Sequence, residues 1–167
     1  ASALVVVALG SNLGDPVRIV RTAIARLREM AAGALRCSSL WRTSPVDCPD
    51  GSPGFINAVV AFPAGTGETP ETWLARLQEL EREFGRRPKV RLNEPRPLDL
   101  DLIAFGREVR SAPGLTLPHP RAHRRRFVLA PLAEILPGFV LPGQRQTAAA
   151  ALAALETAEV IERLDGA

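Results

Sequence analysis

At 167 residues, 46% hydrophobic and 23% charged, the chain has the size of one domain and enough apolar side chain to fill a core, which excludes a disordered, collagen-like or coiled-coil protein. No apolar run, Ala3 to Leu9 included, approaches the ~20 residues of a membrane-crossing helix, and Cys37 and Cys48 have no Cys or His neighbour at metal-ligand spacing, so neither a disulfide framework nor a zinc site is indicated. The net charge is +3, yet residues 82–96 and 121–126 each carry a net +4, so the remainder stands at −5 and the basic charge is concentrated for a compact polyanion. Lys89 is the one lysine, so the other basic residues are arginines, which suit phosphate; an Arg-rich composition would look the same. A single cytoplasmic domain over residues 1–167 is the expectation.

Residues 3–9 read as a buried strand that leaves a sheet through a tight turn at Gly10-Ser11-Asn12. Asp15 caps the helix that follows, Pro16 opens it, and Val17, Val20, Ile24 and Leu27 mark its buried face up to Gly33. Leu35 to Arg42 and Phe55 to Phe62 read as strands, joined by a twelve-residue Pro/Gly/Asp loop from Thr43 to Gly54 that is a candidate substrate wall. Thr69-Pro70 starts a second helix striped by Trp73, Leu77, Leu80 and Phe84 and stopped at Gly85, with Gln78 and Glu81 off the stripe. Residues 86–97 hold three prolines and five basic residues and read as an arginine-rich loop. Leu98 to Ala104 alternates as a strand, and Phe105 to Val109 suggests a hairpin. A helix over Arg124 to Leu136, interrupted at Pro131, an alanine-rich helix over Thr147 to Leu155 and a strand at Val160 to Leu164 close the chain. This order predicts an α+β fold, a ferredoxin-like βαββαβ core with an antiparallel sheet, helices packed on it and C-terminal additions.

The sharpest chemical signal is Leu98-Asp99-Leu100-Asp101-Leu102, because a strand repeat of two turns the leucines to one face and both aspartates to the other. Two bare charges ~7 Å apart repel by ~2 kcal/mol at an effective dielectric of ~20, and a divalent cation removes that cost. Oxygen donors select magnesium or manganese over zinc, and Arg86, Arg87, Lys89, Arg91 and Arg96 are delivered to the same strand end, a density of acids beside bases that suits a metal-bridged polyphosphate. An acidic outer strand face is the bland alternative. His119, rigidly placed in Pro118-His119-Pro120, precedes the second arginine cluster. Asn57 lies within a strand, where an inward amide needs partners or costs ~1–3 kcal/mol, and a flat heterocycle would supply them. Phe55 and Phe127 either stack on such a ring or fill the core.

These segments resemble the 6-hydroxymethyl-7,8-dihydropterin pyrophosphokinase family. The likeness runs through Leu9-Gly10-Ser11-Asn12-Leu13-Gly14, Trp41-Arg42-Thr43-Ser44-Pro45, Phe55-Ile56-Asn57-Ala58, Pro95-Arg96-Pro97-Leu98-Asp99-Leu100-Asp101, Leu117-Pro118-His119-Pro120-Arg121 and Arg125-Arg126-Phe127-Val128-Leu129. It covers about residues 4 to 140 and leaves the last ~25 unaccounted for.

The resemblance implies pyrophosphoryl transfer from ATP to a pterin alcohol, in folate biosynthesis, with AMP as the leaving group. It implies that Asp99 and Asp101 hold two magnesium ions and that Gln78, Glu81, Leu102, Leu115, Thr116 and His119 line the ATP site. Arg86, Arg96 and Arg125 match phosphate-contacting positions, Arg86 and Arg96 among the catalytic ones. The pterin would lie between Phe55 and Phe127, read by Asn57 and enclosed by Thr43, Pro45 and Val46. Pro88, Leu92, Asn93 and Pro120 depart from the family pattern around the basic loop and the histidine. Small-molecule substrates and a monomer are expected, with no nucleic-acid or membrane partner. Two other functions share some of these features. A metal-dependent phosphohydrolase would use the same acidic pair, and an RNA-binding ferredoxin-like module would need exposed aromatics on alternating strand positions, where this chain has aspartates.

Overall fold

The strands Leu4–Ser11 (β1), Arg36–Cys37 (β2), Trp41–Thr43 (β3), Phe55–Pro63 (β4), Asp99–Phe105 (β5) and Ile161–Arg163 (β8) form an antiparallel sheet in the order β5-β1-β4-β3-β8, with β2 also paired to β4. This computed structural model describes residues 3–12, 14–43, 54–85, 98–157 and 160–164. The expected loops at 44–53 and 86–97 lie outside those residues. Helices Pro16–Met30 (α1) and Pro70–Glu83 (α2) alternate with the strands so that β5-β1-β4-β3 has the ferredoxin-like arrangement predicted above. Strands Arg110–Ala112 (β6) and Leu115–Leu117 (β7) form a separate pair, so the expected hairpin after Phe105 is made between these two and not with β5. Helices Arg126–Ile135 (α3) and Ala148–Ala154 (α4) complete the fold. Pro131 lies inside α3 and does not end it.

Local chemistry accounts for the helix starts. The Asp15 carboxylate accepts from the Arg18 amide at 3.3 Å ahead of Pro16, and the Thr69 hydroxyl and the Thr72 side chain cap each other's backbone ahead of Pro70. Helix α1 stops at Met30, earlier than Gly33, because Ala31 turns into extended backbone. Gly33 serves packing instead: a β-carbon there would come within 2.6 Å of the Pro63 ring.

Both sheet faces are covered. On one, Val5, Val7, Leu9, Ala58, Val60, Phe62, Leu98, Leu100 and Leu102 meet α1 and α2, whose Leu27, Trp73, Leu77 and Leu80 are buried against them. On the other, Val6, Ala8, Val59, Ala61, Ile103 and Ala104 meet Val128 and Leu132 of α3. This second layer covers, among the described residues, the sheet face that an RNA-binding module would use for stacking. It also corrects the acidic outer face: Asp99 and Asp101 share the α3 face and lie at its end, half-buried.

Two bulges set which side chains reach that end. Between the pairs Cys37↔Val60 and Trp41↔Asn57, three residues, Ser38, Ser39 and Leu40, oppose two, Ala58 and Val59. The expected single strand Leu35 to Arg42 is therefore broken, and Ser38 bridges the break by donating its amide to the Val59 carbonyl at 3.0 Å while its hydroxyl accepts from the Val59 amide at 2.9 Å. In β5 the alternation slips at Ile103, since Val7 pairs with Leu102 and Val6 with Ala104. No described helix is long and apolar enough to cross a membrane.

Candidate active site

Trp41, Asn57, Gly10 and Asp99 are successive partners across β3, β4, β1 and β5, so they form a row on the α3 face. Neighbouring strands lie ~4.8 Å apart, which sets the Asn57 and Asp99 backbones ~10 Å from each other with Gly10 between them. Gly10 belongs to β1 and is not the turn expected from Gly10-Ser11-Asn12; the strand runs on to Ser11. Its missing side chain is what admits the Asn57 amide, because a β-carbon at residue 10 would sit 2.9 Å from Asn57 Nδ2.

Asn57 is 6% exposed, and its partners come from the protein itself. The Thr43 hydroxyl donates to Oδ1 at 2.9 Å, and Nδ2 donates to the Leu9 carbonyl at 3.4 Å. Flipping the amide would press Oδ1 against the Leu9 oxygen, so the carbonyl fixes its orientation. A bound heterocycle is therefore not required to satisfy Asn57, contrary to the expectation from sequence. Phe55 is half-exposed and belongs to neither core cluster, whereas Phe127, also half-exposed, packs at the edge of the second, with the Arg125 guanidinium 5.2 Å from its ring centroid.

Asp101 pairs with Ala8 and Asp99 with Gly10, while Leu98, Leu100 and Leu102 turn into the opposite core, as the alternation predicted. Two half-buried carboxylates on one strand face provide hard oxygen donors but only two side chains, and no group of three metal-ligating side chains occurs among the described residues. That set fits a magnesium ion whose other positions belong to water and substrate phosphate, and it does not fit a closed structural site.

His119 is tied to this strand at the Ile103 bulge, where its amide donates to the Ile103 carbonyl at 2.9 Å. Its Nδ1 accepts from the Arg121 amide at 3.2 Å. Burial foremost, then Arg125 and Arg121, hold the imidazole below its ordinary pKa, while Asp99 opposes them. A nitrogen that accepts an N–H carries no proton, so the neutral ring keeps its proton on Nε2 and offers it as a donor.

Gln78 is exposed, Thr116 is exposed, and Leu102 and Leu115 are buried at 6% and 9%, so their side chains belong to the core and only their backbone is available to a ligand. Glu81 Oε2 accepts from the Leu100 amide at 2.8 Å. Arg86, Arg96, Pro45 and Val46 lie outside the described residues. The Glu134 carboxylate, on α3, went unnoticed in the sequence. It takes the Ser39 amide at 2.9 Å, the Ser39 hydroxyl at 2.5 Å and Trp41 Nε1 at 3.1 Å, clamping the helix that carries Phe127 to the strand that carries Thr43.

Fold and site together define an α+β domain of ferredoxin-like topology with a pair of carboxylates at one end of its sheet. The family profile of 7,8-dihydro-6-hydroxymethylpterin-pyrophosphokinase (HPPK) matches residues 6–137. The chain belongs to the HPPK family. It is 42% identical over 130 residues to a 2-amino-4-hydroxy-6-hydroxymethyldihydropteridine pyrophosphokinase of Bacillus subtilis, covering 77% of this chain and 75% of that one. The Pseudomonas aeruginosa protein of the same name is 38% identical over 164 residues, 98% of each chain. A mitochondrial folate synthesis bifunctional protein of Arabidopsis thaliana is 39% identical over 132 residues, and there the match covers 79% of this chain but only 23% of the relative's length. Among solved structures, an HPPK-DHPS in complex with substrates superposes with a TM-score of 0.70 over 92% of this chain and 43% of its own, at 11% identity. Plasmodium falciparum HPPK-DHPS gives 0.68 over 92% and 44%, at 12% identity. At these identities the two structures speak for the fold.

Proposed function

We propose that this chain transfers the pyrophosphoryl group of ATP to the hydroxymethyl oxygen of 6-hydroxymethyl-7,8-dihydropterin, giving the pterin diphosphate and AMP, as a single monomeric domain in the cytoplasm. The observation that carries the assignment of roles is the row Asn57–Gly10–Asp99: a ring-recognising amide and a carboxylate separated by the span of a bicyclic heterocycle over a residue with no side chain. The fixed Asn57 amide reads the ring edge, and the half-exposed Phe55 and Phe127 close on its faces. The hydroxymethyl group then points to Asp99, where the phosphates of ATP meet the acid pair.

Magnesium held by Asp99 and Asp101, two ions in our reading, supplies charge neutralisation at the β-phosphoryl group when bound. The protein's own part is positioning. His119 presents a neutral Nε2–H, which donates to a phosphate oxygen without needing a proton from solvent, and Arg125, packed on Phe127, neutralises charge next to the ring. Arg86 and Arg96 complete the phosphate contacts in this proposal. The pterin hydroxyl attacks the β-phosphorus and gives up its proton to solvent, the bond from that phosphorus to the oxygen shared with the α-phosphate breaks, and AMP leaves with the electron pair. Phosphoryl chemistry of this kind rests on alignment and charge, so no strong base is required.

The test is product identification. Incubated with ATP, magnesium and the pterin alcohol, the chain is expected to yield AMP and a pterin diphosphate in equal amounts, resolved by phosphorus NMR. Formation of ADP, or of inorganic phosphate without a phosphorylated pterin, would overturn the proposal in favour of a simple kinase or a phosphohydrolase.

A further inference from the structure

Leu100 stands between Asp99 and Asp101, and the direction of its amide decides how firmly the acid pair is held. Among the described residues strand β5 is the edge of the sheet, paired with β1 through Gly10↔Asp99 and Ala8↔Asp101. Along an antiparallel ladder successive residues turn their backbone groups alternately toward and away from the partner strand. An amide that points away at an edge has no sheet partner, and Leu100 is itself only 7% exposed. Glu81 Oε2 takes that proton at 2.8 Å from the last turn of α2. Leu77 and Leu80, 1% and 2% exposed, lock the same end of α2 into the core, so the carboxylate approaches from a fixed base.

We propose that Glu81 is the positioning residue of the acid pair: by gripping the peptide between Asp99 and Asp101 from the outer edge of β5, it sets the separation and aim of both carboxylates. This rests on the reading of Asp99 and Asp101 as the metal-binding pair. It differs from the nucleotide contact that family resemblance implies for Glu81. A half-buried carboxylate is a strong acceptor for a backbone N–H, and this one is already engaged by the Leu100 amide. The bond also explains why this residue lies off the apolar stripe of α2 and still faces the protein.

Glu81→Met keeps the stem and the helix propensity but removes the acceptor, and Glu81→Gln keeps an oxygen in the same place. Three readouts separate the possibilities: exchange of the Leu100 amide by NMR, Mn2+ binding by electron paramagnetic resonance with a non-hydrolysable ATP analogue present, and KM for ATP against kcat at saturating metal. In Glu81→Met the Leu100 amide should exchange faster, and Mn2+ should bind about tenfold more weakly, the factor expected when one buried donor loses its acceptor. Here kcat should fall more than KM for ATP rises. Glu81→Gln should restore all three toward wild type. Unchanged Leu100 exchange in Glu81→Met would overturn the grip, as would two variants that alike raise KM for ATP and leave Mn2+ binding untouched, the pattern of a direct nucleotide contact. Wild-type Mn2+ binding that is indifferent to Asp99→Asn and Asp101→Asn would instead overturn the metal reading beneath it.

Discussion

Replacing Gly10 with alanine should weaken pterin binding about fivefold or more while leaving the fold in place. Gly10 lies within β1 and does not occupy the left-handed region, so its backbone accepts a β-carbon without strain. The added methyl would lie 2.9 Å from Asn57 Nδ2, and its next neighbours, such as the Ile56 carbonyl at 3.9 Å, are in ordinary contact. Only the amide must move. Displacing it breaks the 3.4 Å bond to the Leu9 carbonyl or the 2.9 Å bond from the Thr43 hydroxyl. A buried polar group that loses a partner costs about 1–3 kcal/mol, equivalent to roughly five- to over a hundredfold in affinity. Fluorescence titration of the pterin in the presence of an ATP analogue measures this directly, with the nucleotide's own affinity and Tm as controls. An unchanged pterin Kd in a variant whose Tm is also unchanged would refute the argument that Gly10 exists to admit the Asn57 amide.

Other consequences follow from the same geometry. Glu134→Ala removes the acceptor for Ser39 and Trp41 at a surface site, so it should cost about 1 kcal/mol and lower Tm by roughly 2–4 °C, measured by calorimetry. Because that clamp joins α3 to β3, it should also raise KM for the pterin more than KM for ATP; equal effects would contradict the assignment of Phe127 to the pterin. His119 has its pKa held below the ordinary value near 6.5, chiefly by burial. Its folded form therefore binds the proton less readily than the unfolded chain, and stability is lost as pH falls below about 6.5. Urea unfolding between pH 5 and 8 should show a shallower acid decline in His119→Gln than in wild type, and identical slopes would contradict the buried neutral imidazole.

The alternation of Leu98 to Leu102 was legible because it depends on local period alone, and the structure puts those leucines and aspartates on opposite faces. The helix starts at Asp15-Pro16 and Thr69-Pro70 were legible for a similar reason, since a cap and its proline are neighbours in sequence. What escaped were features that need a count of residues on two strands. A continuous strand from Leu35 to Arg42 would place Trp41 and Thr43 on the same face as Cys37. The extra residue among Ser38, Ser39 and Leu40 reverses that and turns Thr43 toward Asn57. The bulge at Ile103 likewise frees the carbonyl that anchors His119, and nothing in the run Leu102-Ile103-Ala104 announces it. Glu81 and Glu134 bind partners 19 and 95 residues away, beyond any periodicity. A glycine after an apolar run ordinarily marks a turn, and the use of Gly10 as a space for another side chain appears only when β4 lies beside it.

Steady-state AMP formation by Asp99→Asn and Asp101→Asn tests the central claim most directly, because each substitution removes one charge and little volume from the strand face. The account predicts that either change lowers kcat/KM by about a hundredfold or more while both variants melt close to wild type. Turnover near the wild-type level in either one would show that pyrophosphoryl transfer does not depend on this pair of carboxylates.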